Sequence, residues 1–112
     1  MNYDEMMKKA ENRFIPTKNG FEKYVDLPEN KVLRASLSFW GNNKIPSLCI
    51  VSGKREEIDR NLCTMDLTRS LLIPLGESFK RKNFNFLVKL THDFPDEKII
   101  NSWKEYVSVI PF

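Results

Sequence analysis

Only a few residues in this chain could do chemistry, and their spacing can be tested against what each reaction needs. The single histidine, His92, stands beside Asp93 in Thr91-His92-Asp93-Phe94. Nucleophilic catalysis would need an acid such as Asp93 to orient His92, and His92 to take the proton from Cys63 or a serine hydroxyl. Neighbours on an extended chain point to opposite sides, so adjacency does not make a dyad, and a polar turn ahead of a helix accounts for the pair. The carboxylate pairs Glu56-Glu57 and Asp96-Glu97 fall in first turns of expected helices, where the helix dipole already favours them. Phosphate binding calls for closely spaced glycines opening a helix. Glycines 20, 41, 53 and 76 are isolated, and Ser52-Gly53-Lys54-Arg55 is the nearest approach. Cys49 and Cys63 have no CxxC spacing, and with one histidine they do not complete a zinc site. Both read as small buried thiols. The chain is expected to be no enzyme and to use no metal or cofactor.

One constellation is denser. Residues 79–89, Phe-Lys-Arg-Lys-Asn-Phe-Asn-Phe-Leu-Val-Lys, interleave cations with rings. On a strand, that is the platform a single-stranded nucleic acid uses: cations track phosphates and rings stack on bases. Lys82-Asn83-Phe84-Asn85-Phe86-Leu87 resembles part of the core pattern of the RNA-recognition motif. It departs from that pattern where asparagines replace small residues and Lys89 replaces the final aromatic. The alternation argues for a different use of the rings. Phe84, Phe86, Val88 and Leu90 would share one face and Asn83, Asn85, Leu87 and Lys89 the other. Burial is worth roughly 1.5–3 kcal/mol per large apolar side chain, so the phenylalanines are expected to face the core. Lys80, Arg81 and Lys82 then form a solvated basic rim.

The tryptophans differ in setting. Trp103 is in phase with Ile99 and Val107 and reads as core. Trp40 shares the polar face of its strand with Arg34, Ser36 and Ser38, where it is either a binding anchor or packed under the first helix. Tryptophan and arginine dominate interface hot spots. The residues expected to meet a partner are Arg34, Trp40, Lys54, Arg55, Lys80, Arg81 and Lys82.

These side chains must be positioned by a small set of elements. Apolar residues Tyr3, Met7, Ala10 and Phe14 predict a helix over 3–14, ended by Pro16. The stretch from there to Pro28 is mixed. Leu33, Ala35, Leu37 and Phe39 alternate with polar residues and predict a strand over 31–40. Gly41-Asn42-Asn43-Lys44 turns the chain into a second strand at 47–52. A surface helix is expected at 54–65, strands at 67–75 and 79–90, and a helix over 95–107 opened by Pro95, Asp96 and Glu97. The class is α+β, a mostly antiparallel sheet of about four strands backed by helices, in one domain spanning 1–112.

Composition sets the outer bounds. With 112 residues, 41% hydrophobic and 12% aromatic, the chain can bury one core and is neither disordered nor collagen-like. No apolar run approaches the roughly 18 residues of a membrane helix, and the acidic start differs from a secretion signal. A cytoplasmic protein is expected. The net charge of +3 is carried mainly by residues 31–75, with seven basic residues against four acidic. Dedicated nucleic-acid binders concentrate more positive charge than this. The expected function is therefore a small non-catalytic protein-binding module, of the inhibitor or immunity type that neutralises a toxin or nuclease, or an accessory protein of a phage or mobile element. If the target is a nuclease, acidic residues such as Asp4, Glu5 and Glu11 would mimic phosphate. The alternative is a nucleic-acid-binding domain that uses the basic rim. No membrane partner is expected.

Overall fold

The structure, a computed structural model, describes residues 5, 8–54, 56, 70–77 and 83–109. Five strands form one antiparallel sheet: β1 (Ile15–Pro16), β2 (Gly20–Leu27), β3 (Lys31–Trp40), β4 (Ile45–Lys54) and β5 (Ser70–Pro74). They neighbour one another in sequence order, and two helices follow, α1 (Phe84–Thr91) and α2 (Asp96–Val109). The fold is α+β. The expected strands 31–40 and 47–52 correspond to β3 and the middle of β4, and the helix over 95–107 to α2. Gly41 and Lys44 take positive φ in the turn between β3 and β4, as that turn's composition implies.

The sheet's period of two divides its side chains between two faces. Phe21, Lys23 and Val25 of β2 lie in register with Leu37, Ala35 and Leu33 of β3, and Leu48 and Ile50 of β4 with Leu37 and Ala35. This row is buried together with Leu87, Val88, Phe94, Ile99 and Trp103 of the helical layer. Gly20 is required where β2 enters the ladder, because a Cβ there would run into the Leu37 carbonyl oxygen.

Two expectations need correction. Of the strand expected over 79–90, residues 79–82 lie outside the described residues and the rest is helical: residues 84–91 form α1, with Asn83 as its N-cap, whose side chain accepts a hydrogen bond from the Asn85 amide at 3.1 Å. Phe84, Leu87, Val88 and Thr91 recur at three- and four-residue steps, and it is this helical period that is buried, not the alternating one. Phe84 and Leu90 are half-buried against the core, and Phe86 lies beside Gly76. The second correction is β2, an eight-residue strand in a stretch with no clear pattern. Its inward row is Phe21, Lys23, Val25 and Leu27, and a lysine in the row breaks the apolar alternation.

The N-terminal helix is shorter than expected. Glu5, Lys8 and Lys9 are helical, Ala10 and Glu11 are not, and Asn12 and Arg13 turn the chain with φ of 58° and 64°. Lys54 ends β4 and Glu56 is helical, while the rest of the expected helix 54–65, residues 67–69 of the expected strand, and Cys63 lie outside the described residues.

Candidate protein-binding face

The face of the sheet turned away from α1 and α2 holds two of the residues singled out for binding, Arg34 and Trp40. Arg34, Ser36, Ser38 and Trp40 of β3 occupy it, in register with Tyr24, Glu22 and Gly20 of β2 and with Val51, Cys49, Ser47 and Ile45 of β4. Leu72 of β5 pairs with Cys49, and Ile15 of β1 with Glu22, so both belong to the same face. Ile15, Tyr24, Trp40 and Leu72 are 54%, 38%, 43% and 47% exposed, and Val109 is the one other large apolar residue as open among those described. Scattered exposed apolar residues are ordinary; four on one sheet face are informative.

The face is not uniform along the strands. Val32 and Val51, near one end, are buried, whereas the end holding Trp40 opens into a groove of about 300 Å³. Lys18, Glu22, Arg34, Ser36, Ser38 and Trp40 line it. An indole wall, a hydroxyl floor and charges of both signs are what a protein surface needs to seat a mixed apolar and polar contact.

Trp40 therefore stands partly in solvent beside the turn. Arg34 shares the groove with it. Lys54 does not: it is exposed at the far end of β4 opposite Lys31, nine residues along the ladder from Trp40, or about 30 Å. Arg55, Lys80, Arg81 and Lys82 lie outside the described residues. Sequence reasoning missed Ile15, Tyr24 and Glu22 because β1 and β2 were not foreseen, and Leu72 because only the pairing of β5 with β4 brings it to this face. Cys49 is half-buried on this face instead of in the core. Burial pushes its thiol up, with Arg34 pulling the other way, so it is a protonated, poorly nucleophilic group at neutral pH.

The other chemistry-bearing residues described make contacts within the chain. His92 caps the end of α1 and its Nδ1 lies 3.2 Å from Oε2 of Glu11, so its carboxylate partner is Glu11 and not Asp93. Trp103 is buried and its ring centroid lies 5.5 Å from that of Tyr106. Lys23 is a charged residue with a side chain only 2% exposed, and its ammonium meets three acceptors: the Phe94 carbonyl at 2.6 Å, the Asn12 carbonyl at 2.9 Å and Asp96 Oδ1 at 3.0 Å. It also lies 4.7 Å from the centre of the Phe14 ring. Desolvation, helped by nearby Arg13, lowers its pKa to about 8. Arg13 in turn pairs with Asp96. Further bonds join the same segments, Glu11 N to Thr91 Oγ1 at 3.0 Å and Asn12 Nδ2 to the Thr91 carbonyl at 2.7 Å. With every ammonium proton engaged and almost no access, Lys23 clamps the N-terminal segment to the α1–α2 junction.

Among the described residues there is no cluster of three or more metal-ligating side chains, and no helix long and apolar enough to cross a membrane. Searches against family models, curated proteins and solved structures returned no match to this chain.

Proposed function

We propose that this chain is a small non-catalytic protein-binding module that covers another macromolecule with the open end of its second sheet face. The supporting observation is that Trp40, Tyr24, Ile15 and Leu72, all more than a third exposed, share one sheet face, on which Trp40 lines a groove together with Arg34 and Glu22. Aromatic anchors with an arginine inside a polar rim are the composition of an interface centre. The partner it fits is a protein with an apolar projection for the Trp40 groove, flanked by an acidic side chain for Arg34 and Lys18 and a basic one for Glu22. An inhibitor or immunity protein, neutralising a toxin or nuclease, or an accessory protein of a phage or mobile element, works through such a surface in the cytoplasm. Phosphate mimicry gains no support from Glu11, which lies beyond the N-terminal helix and is turned to His92, and Asp4 lies outside the described residues.

Affinity capture from the native cell, run side by side with wild type and Trp40→Ala, tests this reading. A protein retained by wild type and lost by the folded variant is expected, with affinity falling tenfold or more, because a central tryptophan commonly contributes about 2 kcal/mol or more. Equal capture by both would contradict it. Titration with single-stranded oligonucleotides at two salt concentrations separates the nucleic-acid alternative, whose binding would weaken steeply with salt.

A further inference from the structure

Two costly features of the molecule meet at one spot, where residues 8–14 cross the α1–α2 junction. Asn12 and Arg13 are consecutive residues in the left-handed region, with φ of 58° and 64°. Asparagine tolerates that conformation, but for arginine it is sparsely populated and persists only while the surroundings hold it. Beside them lies the Lys23 ammonium, whose burial lowers its pKa from 10.5 to about 8. Polar contacts oppose these costs. Asn12 offers its carbonyl to Lys23 and its side-chain amide to the Thr91 carbonyl, Glu11 N donates to Thr91 Oγ1, and Arg13 pairs with Asp96. The Arg13–Asp96 and Glu11–His92 pairs are solvent-exposed, and such pairs add little. Of residues 8–14 only Ala10 and Phe14 are apolar. Phe14 is buried in the core, and β1 follows it directly, paired to β2. Phe14 is therefore the fixed end of the segment, and the polar bonds ahead of it converge on Thr91, Lys23 and Asp96.

We infer that residues 8–13 are a strap that lifts off the α1–α2 junction as one unit, hinged ahead of Phe14, while the sheet stays folded. Lifting relieves both costs together: the backbone of Asn12 and Arg13 leaves the left-handed region, and the Lys23 ammonium regains water. Segments that open locally are those held by polar bonds more than by apolar burial. The sheet beneath is built differently, with β2 paired to β3 from Gly20 to Leu27 and β3 to β4 from Lys31 to Trp40. Lifting also changes what Lys23 is. With the strap down, its side chain is 2% exposed and the Asn12 carbonyl holds one of its protons. With the strap up, that carbonyl is gone and the amine is open to reagents. The strap thus gates a lysine on the core face of the sheet. It lies on the opposite face from the Trp40 groove and works whether or not that groove binds a protein.

Two readouts on the same protein test the inference: acetylation of Lys23 by acetic anhydride, mapped by peptide mass spectrometry, and hydrogen exchange of the Glu11 amide. Lys23 is scored against the exposed Lys31 and Lys89. In wild type, both rates should stay unchanged in low urea, because lifting exposes little surface, while β3 amides wait for global unfolding. Thr91→Val removes the acceptor of the Glu11 amide, and Asp96→Asn weakens the ion pairs of Lys23 and Arg13. If the strap moves as a unit, each variant should speed both readouts about fivefold or more, the worth of one hydrogen bond. Trp40→Ala should leave both unchanged, which separates this inference from the proposed function. Rates that climb with the first additions of urea, as global unfolding does, would overturn it. So would variants that speed only the readout beside the altered residue, or neither. The urea series needs wild type alone and decides the matter where a variant does not fold.

Discussion

The two faces of one sheet break the ordinary rule of burial in opposite ways. On the core face a lysine is buried among phenylalanine, valine and leucine; on the other, a tryptophan and a tyrosine stand in water. Lys23 and Tyr24 are sequence neighbours, so the strand's period of two alone sends them to opposite environments. Lys23 is matched: every acceptor around its ammonium belongs to the chain itself. Trp40 and Leu72 keep large parts of their apolar surface in solvent. An exception satisfied from within is structural, and this contrast is the ground on which stability is placed on one face and recognition is proposed for the other.

The contrast is sharpest when the same kind of change is made on both sides. Leu37→Ala removes a fully buried side chain at the centre of β3 and should cost about 3 kcal/mol, within the usual range for large-to-small core changes. Ile15→Ala on the second face, where the side chain is already half in water, should cost about 0.5 kcal/mol. Urea unfolding of both variants reads the difference directly, and similar losses would break the comparison. Gly20→Ala is expected to cost about 2 kcal/mol by the same measurement, since the added Cβ meets the Leu37 carbonyl and the β2–β3 ladder must shift to make room.

The pH dependence is a smaller effect with a definite sign. The pKa of Lys23 is lowered to about 8 in the fold and returns to 10.5 in the unfolded chain. Between these values the unfolded state holds more protons, so stability rises with pH across that window. Below pH 8 both states carry the proton and the cost of burying the charge is felt in full. Urea midpoints for wild type should climb between pH 8 and 10 relative to Lys23→Met. A parallel course for the two proteins would show that Lys23 is not the group responsible.

How much of this was legible in the sequence depended on whether each residue obeyed the pattern of its element. β3 was read in full because Leu33, Ala35, Leu37 and Phe39 alternate cleanly with polar residues, and α2 because Pro95, Asp96 and Glu97 mark its start. β2 was hidden by Lys23, whose burial depends on acceptors from residues 12, 94 and 96, which are distant in sequence. α1 was misread because Phe84, Phe86, Val88 and Leu90 satisfy a two-residue period by accident. The cap at Asn83 was the local signal that would have corrected it. Of the binding residues, Arg34 and Trp40 could be found because they sit on a clearly alternating strand. Tyr24, Leu72 and Ile15 could not, because only the pairing of β1, β2 and β5 brings them to that face.

Hydroxyl-radical footprinting of the protein, alone and with its captured partner, is the most direct test of the division between the faces. In the free chain Tyr24 and Trp40 should be oxidised readily while Trp103 and Phe14 stay protected. With the partner bound, Tyr24 and Trp40 should lose most of their reactivity and the exposed residues of α2 should keep theirs. Protection that appears on α2 instead, with Trp40 as reactive as before, would contradict the account.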